Sequence, residues 1–170
     1  MTLIFMKLFK GQKGFSLIEL IVVIVIIGIL SYVVTANYNN SYTSVQYQTM
    51  IHKIAADVRY ARESAVTGGQ GTSVFVDPSH NQYYLKWADG SYLQNPNKGG
   101  NFIVELGKGD APDVQITQTT FSGGRLDFNK SGAPLNAGNP YSGKLTLLVL
   151  NNAKKVTVTA NTGYIKIEDM

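Results

Sequence analysis

From Phe15 to Val34 the chain runs through twenty residues with a single charge, Glu19. A helix of about 20 apolar residues matches the roughly 30 Å hydrocarbon core of a bilayer, so this run reads as a membrane span. An acidic side chain inside such a helix costs on the order of 3 kcal/mol in insertion. A chain that keeps the charge is expected to supply a partner for it.

The residues before the run, "MTLIFMKLFKGQKG", hold Lys7, Lys10 and Lys13 and no acid. Positive charge beside a span stays on the cytoplasmic side, which sends the C-terminal bulk across the membrane. A secretory signal would have a shorter apolar core followed by a small-residue cleavage site. The stretch from Ser31 to Ala36 offers no such site, so the span is expected to stay in the mature protein. Both Met1 and Met6 serve as possible starts. The net charge of +4 comes mostly from these three lysines: without them 12 basic residues of the 15 face 11 acidic ones. The remainder is nearly neutral and shows no compositional footprint for nucleic acid. Cysteine is absent, which excludes disulfides and thiolate metal sites.

The segment "KGFSLIEL" resembles the N-terminus of type IV prepilins and type II secretion pseudopilins: basic leader, Gly14, Phe15, Glu19 and an uninterrupted apolar helix in register. The resemblance implies cleavage between Gly14 and Phe15 by a prepilin peptidase, which also methylates the new Phe15 amine. Glu19 lies four residues beyond that amine, on the same helix face and in the first turn, where the helix dipole favours a carboxylate. Its partner is either the amine of its own chain or that of a neighbouring subunit. The second gives the charge a use in assembly, because pairing across subunits sets filament register and makes a buried charge tolerable.

Beyond the span, Tyr47, Ile51, Ile54, Val58, Ala61 and Ala65 recur at spacings of three and four, the stripe of an amphipathic helix. No proline lies between Phe15 and Val66, so one helix of about 78 Å is expected, ended by Thr67-Gly68-Gly69. The segment Asn37 to Ser44 is its weak point. Where many pilins carry a proline after the glycine corresponding to Gly28, this chain has Ala36. From Thr72 onward, strands are expected at 72–77, 82–88, 102–106, 114–120, 125–128, 144–150, 155–160 and 164–167. Pro78 to Asn81 reads as a hairpin turn, and the last three strands as a meander. The fold class is α+β: a long N-terminal helix, half transmembrane and half amphipathic, packed on an antiparallel β-sheet head. The expected segments are a cleaved leader (1–14), a transmembrane helix (15–36), its amphipathic continuation (37–67) and a β-rich head (68–170).

"ADVRYARESAVTGG", "LDFNKSGAP" and "VTVTANTGYIKI" resemble, in order, the helix end, strand-and-turn and closing hairpin of the GspH/FimT group of minor pseudopilins. That resemblance implies a non-enzymatic minor filament subunit of the bacterial inner membrane, single-pass, with a cytoplasmic N-terminus and a periplasmic head. Its implied partners are the prepilin peptidase, other pilin-like subunits, the inner-membrane assembly platform and membrane lipid. A type II secretion pseudopilus and a type IV pilus both fit. The alternative is a FimT-like DNA receptor: Lys154, Lys155, Tyr83, Tyr84, Trp87 and Tyr92 speak for it. Tyr164 and Ile165 in place of the group's arginines, followed by Glu168 and Asp169, speak against phosphate binding. Nucleic acid is therefore not an expected partner.

Catalytic readings find little to stand on. His52 falls on the helix and His80 in a turn, neither in a recognisable triad pattern. "GGQGTS" lacks the Gly-Lys-Ser/Thr ending of a phosphate loop. Asp110 and Asp113 carry oxygen ligands suited to calcium, but read better as a solvated turn. No cofactor and no metal are expected.

The cleavage reading has a direct check. Gly14→Ala should leave the leader attached, and mass spectrometry of the mature wild-type chain should show an N-methylated Phe15. An intact leader in wild-type cells with an active peptidase would contradict it.

Overall fold

The computed structural model describes residues 14–108, 114–151 and 153–170, and gives residues 33–44 as backbone only. The chain divides into two compact units, Met1–Ser41 and Tyr42–Met170. One helix, α1 (Leu17–Gly68), contributes to both.

Its start is set by Ser16, whose Oγ accepts the Glu19 N–H at 3.2 Å, while the Ser16 carbonyl accepts the Leu20 N–H. This is N-cap geometry: a hydroxyl satisfies one of the donors that the first turn leaves open. The backbone stays helical across Asn37 to Ser44, the expected weak point. At the other end Gly69 takes a left-handed φ of 65°, as a C-cap requires. Gly68 has a different reason to lack a side chain: a Cβ there would stand 2.7 Å from the Trp87 ring.

In the N-terminal unit, the apolar residues from Phe15 to Tyr32 are exposed. Among the described residues no helix is long and apolar enough to cross a membrane.

Among the described residues the C-terminal unit carries nine strands: β1 (Thr72–Asp77), β2 (Gln82–Trp87), β3 (Ile103–Glu105), β4 (Ile116–Gln118), β5 (Arg125–Phe128), β6 (Pro134–Asn136), β7 (Lys144–Leu150), β8 (Lys154–Thr159) and β9 (Ile165–Asp169). They form two antiparallel sheets, ordered β3-β2-β1-β5-β6 and β4-β7-β8-β9. The fold is α+β, as expected, but the head is built from two sheets. The 72–77, 125–128 and 144–150 strands stand where the sequence puts them, and the closing meander is β7-β8-β9. The Pro78 to Asn81 turn is present, with Asn81 at a left-handed φ of 51°. Asn81 also ties the sheets together: its side chain accepts the Ile116 N–H at 2.8 Å and donates to the Val114 carbonyl at 2.9 Å.

The amphipathic stripe reads correctly. Ile51, Ile54, Val58, Ala61 and Ala65 are fully buried, and Tyr47 packs at the margin of the core. They meet Val74, Leu85, Leu126 and Phe128 of the first sheet and Leu148, Val156 and Val158 of the second in one cluster. Each large aliphatic side chain so buried contributes about 1.5–3 kcal/mol. In β7 the four residues Leu147 to Leu150 are all buried, which strict alternation forbids. A register shift between Thr146 and Leu148 inserts Leu147 as an extra residue and turns it inward.

A fragment beginning at Tyr42 should therefore be soluble and monomeric, with mixed helix and strand by circular dichroism. In it, Gly124→Ala and Gly123→Ala should separate. Both glycines have positive φ, but only at 124 would a Cβ meet backbone, the Val76 carbonyl oxygen at 2.3 Å. Left-handed strain alone costs about 1–3 kcal/mol. Gly124→Ala should lower the melting temperature clearly more than Gly123→Ala, and equal losses would contradict the close approach.

Candidate assembly site and the surfaces of the C-terminal unit

The three residues expected to act in maturation and assembly lie together at the start of α1. Gly14 and Phe15 precede the helix and are exposed, and Glu19 sits in its first turn, also exposed. A residue the sequence reading passed over, Ser16, joins them as the cap. Its signal was present: Ser-x-x-Glu before an apolar run is the capping-box pattern. Glu19 thus stands where the unsatisfied N–H groups of the helix start make the potential most positive. Farther along the apolar run, the Ser31 hydroxyl donates to the Ile27 carbonyl at 2.7 Å, bonding back along its own helix.

The lysines of the closing meander are paired. Glu168 lies 3.2 Å from Lys144, 3.2 Å from Lys166 and 3.9 Å from Lys155, and Lys154 pairs with Asp169. Hydrogen bonds from Lys166 and then Lys144 hold the Glu168 carboxyl below its ordinary range. Two carboxylates thus stand among the four lysines of the meander. The aromatic residues considered for nucleic acid also scatter. Tyr83 is buried and its hydroxyl donates to Asp57, and Trp87 lies over Gly68. Only Tyr84 and Tyr92 share a surface, where with Phe75 they surround the ammonium of Lys86 at 4.6 to 5.9 Å.

His52 is exposed on α1. His80 does meet an acid, with Nδ1 2.7 Å from Asp77 Oδ2, but the Ser79 hydroxyl donates to Asp77 at 2.5 Å rather than to the imidazole. Nucleophilic activation requires the hydroxyl on the base. The Ser79 hydroxyl, foremost, and then the His80 ring hold the Asp77 carboxyl far below its ordinary range. The three residues form a capped turn. In "GGQGTS", Thr72 Oγ1 donates to the Ala61 carbonyl at 2.8 Å and Ser73 Oγ to Asp127, so both hydroxyls serve the fold. Asp110 and Asp113 lie outside the described residues. Among the described residues no cluster of three or more His, Asp or Glu side chains could hold a metal ion.

A long helix whose end is buried on antiparallel sheets, with an uncovered apolar start led by Gly-Phe-x-x-x-Glu, defines the pilin class of subunits. Comparison with known proteins agrees. The family described as "Prokaryotic N-terminal methylation motif" matches residues 9–31, and "Type II transport protein GspH" matches residues 51–163. The second match spans more than half of the chain, and the chain belongs to the GspH family. Two proteins of Pseudomonas aeruginosa, each named "Fimbrial protein", are 32% identical over 89 residues, which is 52% of this chain and 57% of theirs. The chain thus spans little more than half the length of these curated relatives. Among solved structures, the minor pseudopilin EpsH from the Type 2 Secretion System of Vibrio cholerae is similar at 14% identity and a TM-score of 0.48. That similarity covers 72% of this chain and 95% of EpsH. The type IV minor pilin FimU of Pseudomonas aeruginosa is similar at 12% identity and a TM-score of 0.46, over 71% and 91% of the two chains. Membership places the chain in a family described as a type II transport protein, and residues 9–31 carry a prokaryotic N-terminal methylation motif.

The paired lysines predict weak DNA binding at low salt. Replacing Glu168 and Asp169 by Gln and Asn should release four lysines and raise that affinity severalfold, with a steeper salt dependence. Tight, strongly salt-dependent binding by the wild-type chain would contradict the pairing as a barrier.

Proposed function

We propose that this chain is a non-enzymatic minor subunit of a type II secretion pseudopilus or type IV pilus, matured at the Gly14–Phe15 bond and held in the inner membrane until assembly. The observation that carries the proposal is the exposure of the helix from Phe15 to Tyr32. Leu17, Ile18, Leu20 and the isoleucines and valines after them are exposed among the described residues. An apolar surface of that extent marks contact with lipid or with other proteins. A filament subunit uses both in turn, lipid before assembly and neighbouring helices after it.

In this reading, residues 1–14 are the leader, 15–36 the transmembrane part, 37–67 its continuation and 68–170 the periplasmic head, with the leader side in the cytoplasm. The lysines of the leader support that orientation. The assembly platform of the inner membrane would extract the subunit. In the filament, Glu19 pairs with the Phe15 amine of the next subunit. Two charges removed from water together are tolerable, and either one alone costs about 3–5 kcal/mol. The DNA-receptor reading has no comparable support, since Glu168 and Asp169 engage the lysines it needs.

The test separates pairing from simple anchoring and from capping. Glu19→Leu should reach the membrane at least as well as wild type and still be cleaved, because the costly charge is gone and the scissile bond is untouched. Its crosslinking to other pilin-like subunits should fall sharply. Ser16→Ala removes the cap, worth about 1 kcal/mol, and leaves the carboxylate. It should crosslink nearly as wild type does. Equal crosslinking of Glu19→Leu and wild type, or equal losses in both variants, would refute the pairing.

A further inference from the structure

Two arginines one turn apart on α1, Arg59 and Arg62, line a cavity of about 400 Å³ in the C-terminal unit, together with Glu63, Val66 and the β8–β9 turn at Gly163, Tyr164 and Ile165. Each guanidinium donates to a backbone carbonyl: Arg59 Nη2 to Ile165 at 3.3 Å, and Arg62 Nε to Gly132 at 3.0 Å. A guanidinium has five N–H donors. Among the described residues, most of them remain unspent at both positions. Neither arginine forms an ion pair there, although Arg125 and most of the lysines do.

The position of Arg62 is built. Gly132 and Gly163 both have left-handed φ, and a Cβ on either would stand 2.9 to 3.4 Å from Val66 or from Arg62 itself. Two hairpin turns thus give up their side chains where the Arg62 stem passes between them. The cavity also has an apolar lip. Of the large apolar side chains exposed in the C-terminal unit, Val66 at 51% and Tyr164 at 63% border this one opening. Exposed aromatic and arginine side chains around a cavity are the composition of binding hot spots. Like charges at this spacing on a helix repel, and an anion seated between them turns that repulsion into attraction.

We infer that this cavity is a docking site for a carboxylate carried beside an apolar side chain on a protein partner, with Arg59 and Arg62 as its forked donors and Tyr164 and Val66 as its apolar wall. Arginine is suited to the task because its planar fork matches the two oxygens of a carboxylate. A nucleic-acid backbone fits less well. It needs a track of cations, and this opening has two, with Glu63 beside them. That the partner is a neighbouring filament subunit rests on the function proposed above, whereas the preference for a carboxylate does not.

The test uses the full chain in detergent micelles, with 15N-labelled arginine, titrated with acetyl-Phe-Glu-amide, acetyl-Phe-Gln-amide and a thymidine dinucleotide. The Nε–H signals of Arg59 and Arg62 should move and saturate with the glutamate dipeptide, and respond at least about tenfold more weakly to the glutamine form. Arg59→Gln and Tyr164→Ala should each weaken binding about tenfold while leaving the remaining spectrum in place. Arg62 itself is left unaltered because it also holds two turns. Signals that stay still, equal response to the two dipeptides, or a dinucleotide that binds as tightly as the glutamate form would each overturn the assignment. A chain that binds the dipeptide yet never enters filaments would refute the proposed function and leave the site standing.

Discussion

An apolar helix face that stands exposed among the described residues calls for cover by lipid or protein. That constraint governs the N-terminal unit, where the side chains from Leu17 to Leu30 are largely aliphatic and exposed. It explains why a carboxylate can persist at Glu19. In lipid the charge stands at the helix start, beside unsatisfied N–H groups and near the aqueous interface, where the cost of burial is smallest. Among packed helices it needs a counter-charge, which in the proposed assembly is the amine that cleavage after Gly14 would free at Phe15.

The C-terminal unit solves the opposite problem with the same helix. From Ile51 to Ala65 one face of α1 is fully buried, and small residues at 55, 61 and 65 let the sheets approach its backbone. Polar residues at the margins of that face make specific bonds. Asp57 receives Tyr83, Lys53 lies 3.3 Å from Asp57, and Arg62 reaches Gly132. One element therefore supplies the exposed apolar length of the N-terminal unit, the buried spine of the C-terminal unit, and the two arginines that border its exposed aromatic lip.

Much of this was legible in the sequence because it rests on period and composition. The stripe from Tyr47 to Ala65 follows helical spacing, and Gly68-Gly69 marks the stop. Alternation gives β1 at its observed bounds. The three-residue strand β6 was missed, since Pro134 to Asn136 is too short for alternation to register. The division into two sheets was also out of reach, because it depends on pairings between strands far apart in the chain, β1 with β5 and β4 with β7. Ser16 is readable as a cap from its Ser-x-x-Glu spacing to Glu19. The arginine cavity needed turn conformations at Gly132 and Gly163 that only coordinates supply.

The most direct measurement is an interatomic contact in assembled filaments. Filaments would be assembled from this chain carrying a 13C carboxyl at Glu19 together with the other pilin-like subunits carrying 15N at their first mature residue, and examined by solid-state dipolar recoupling. Pairing across subunits predicts a contact within about 4 Å in the mixed filaments, lost when Glu19 is replaced by Leu. A contact that appears only when both labels share one chain, or no contact at all, would contradict the role given to Glu19.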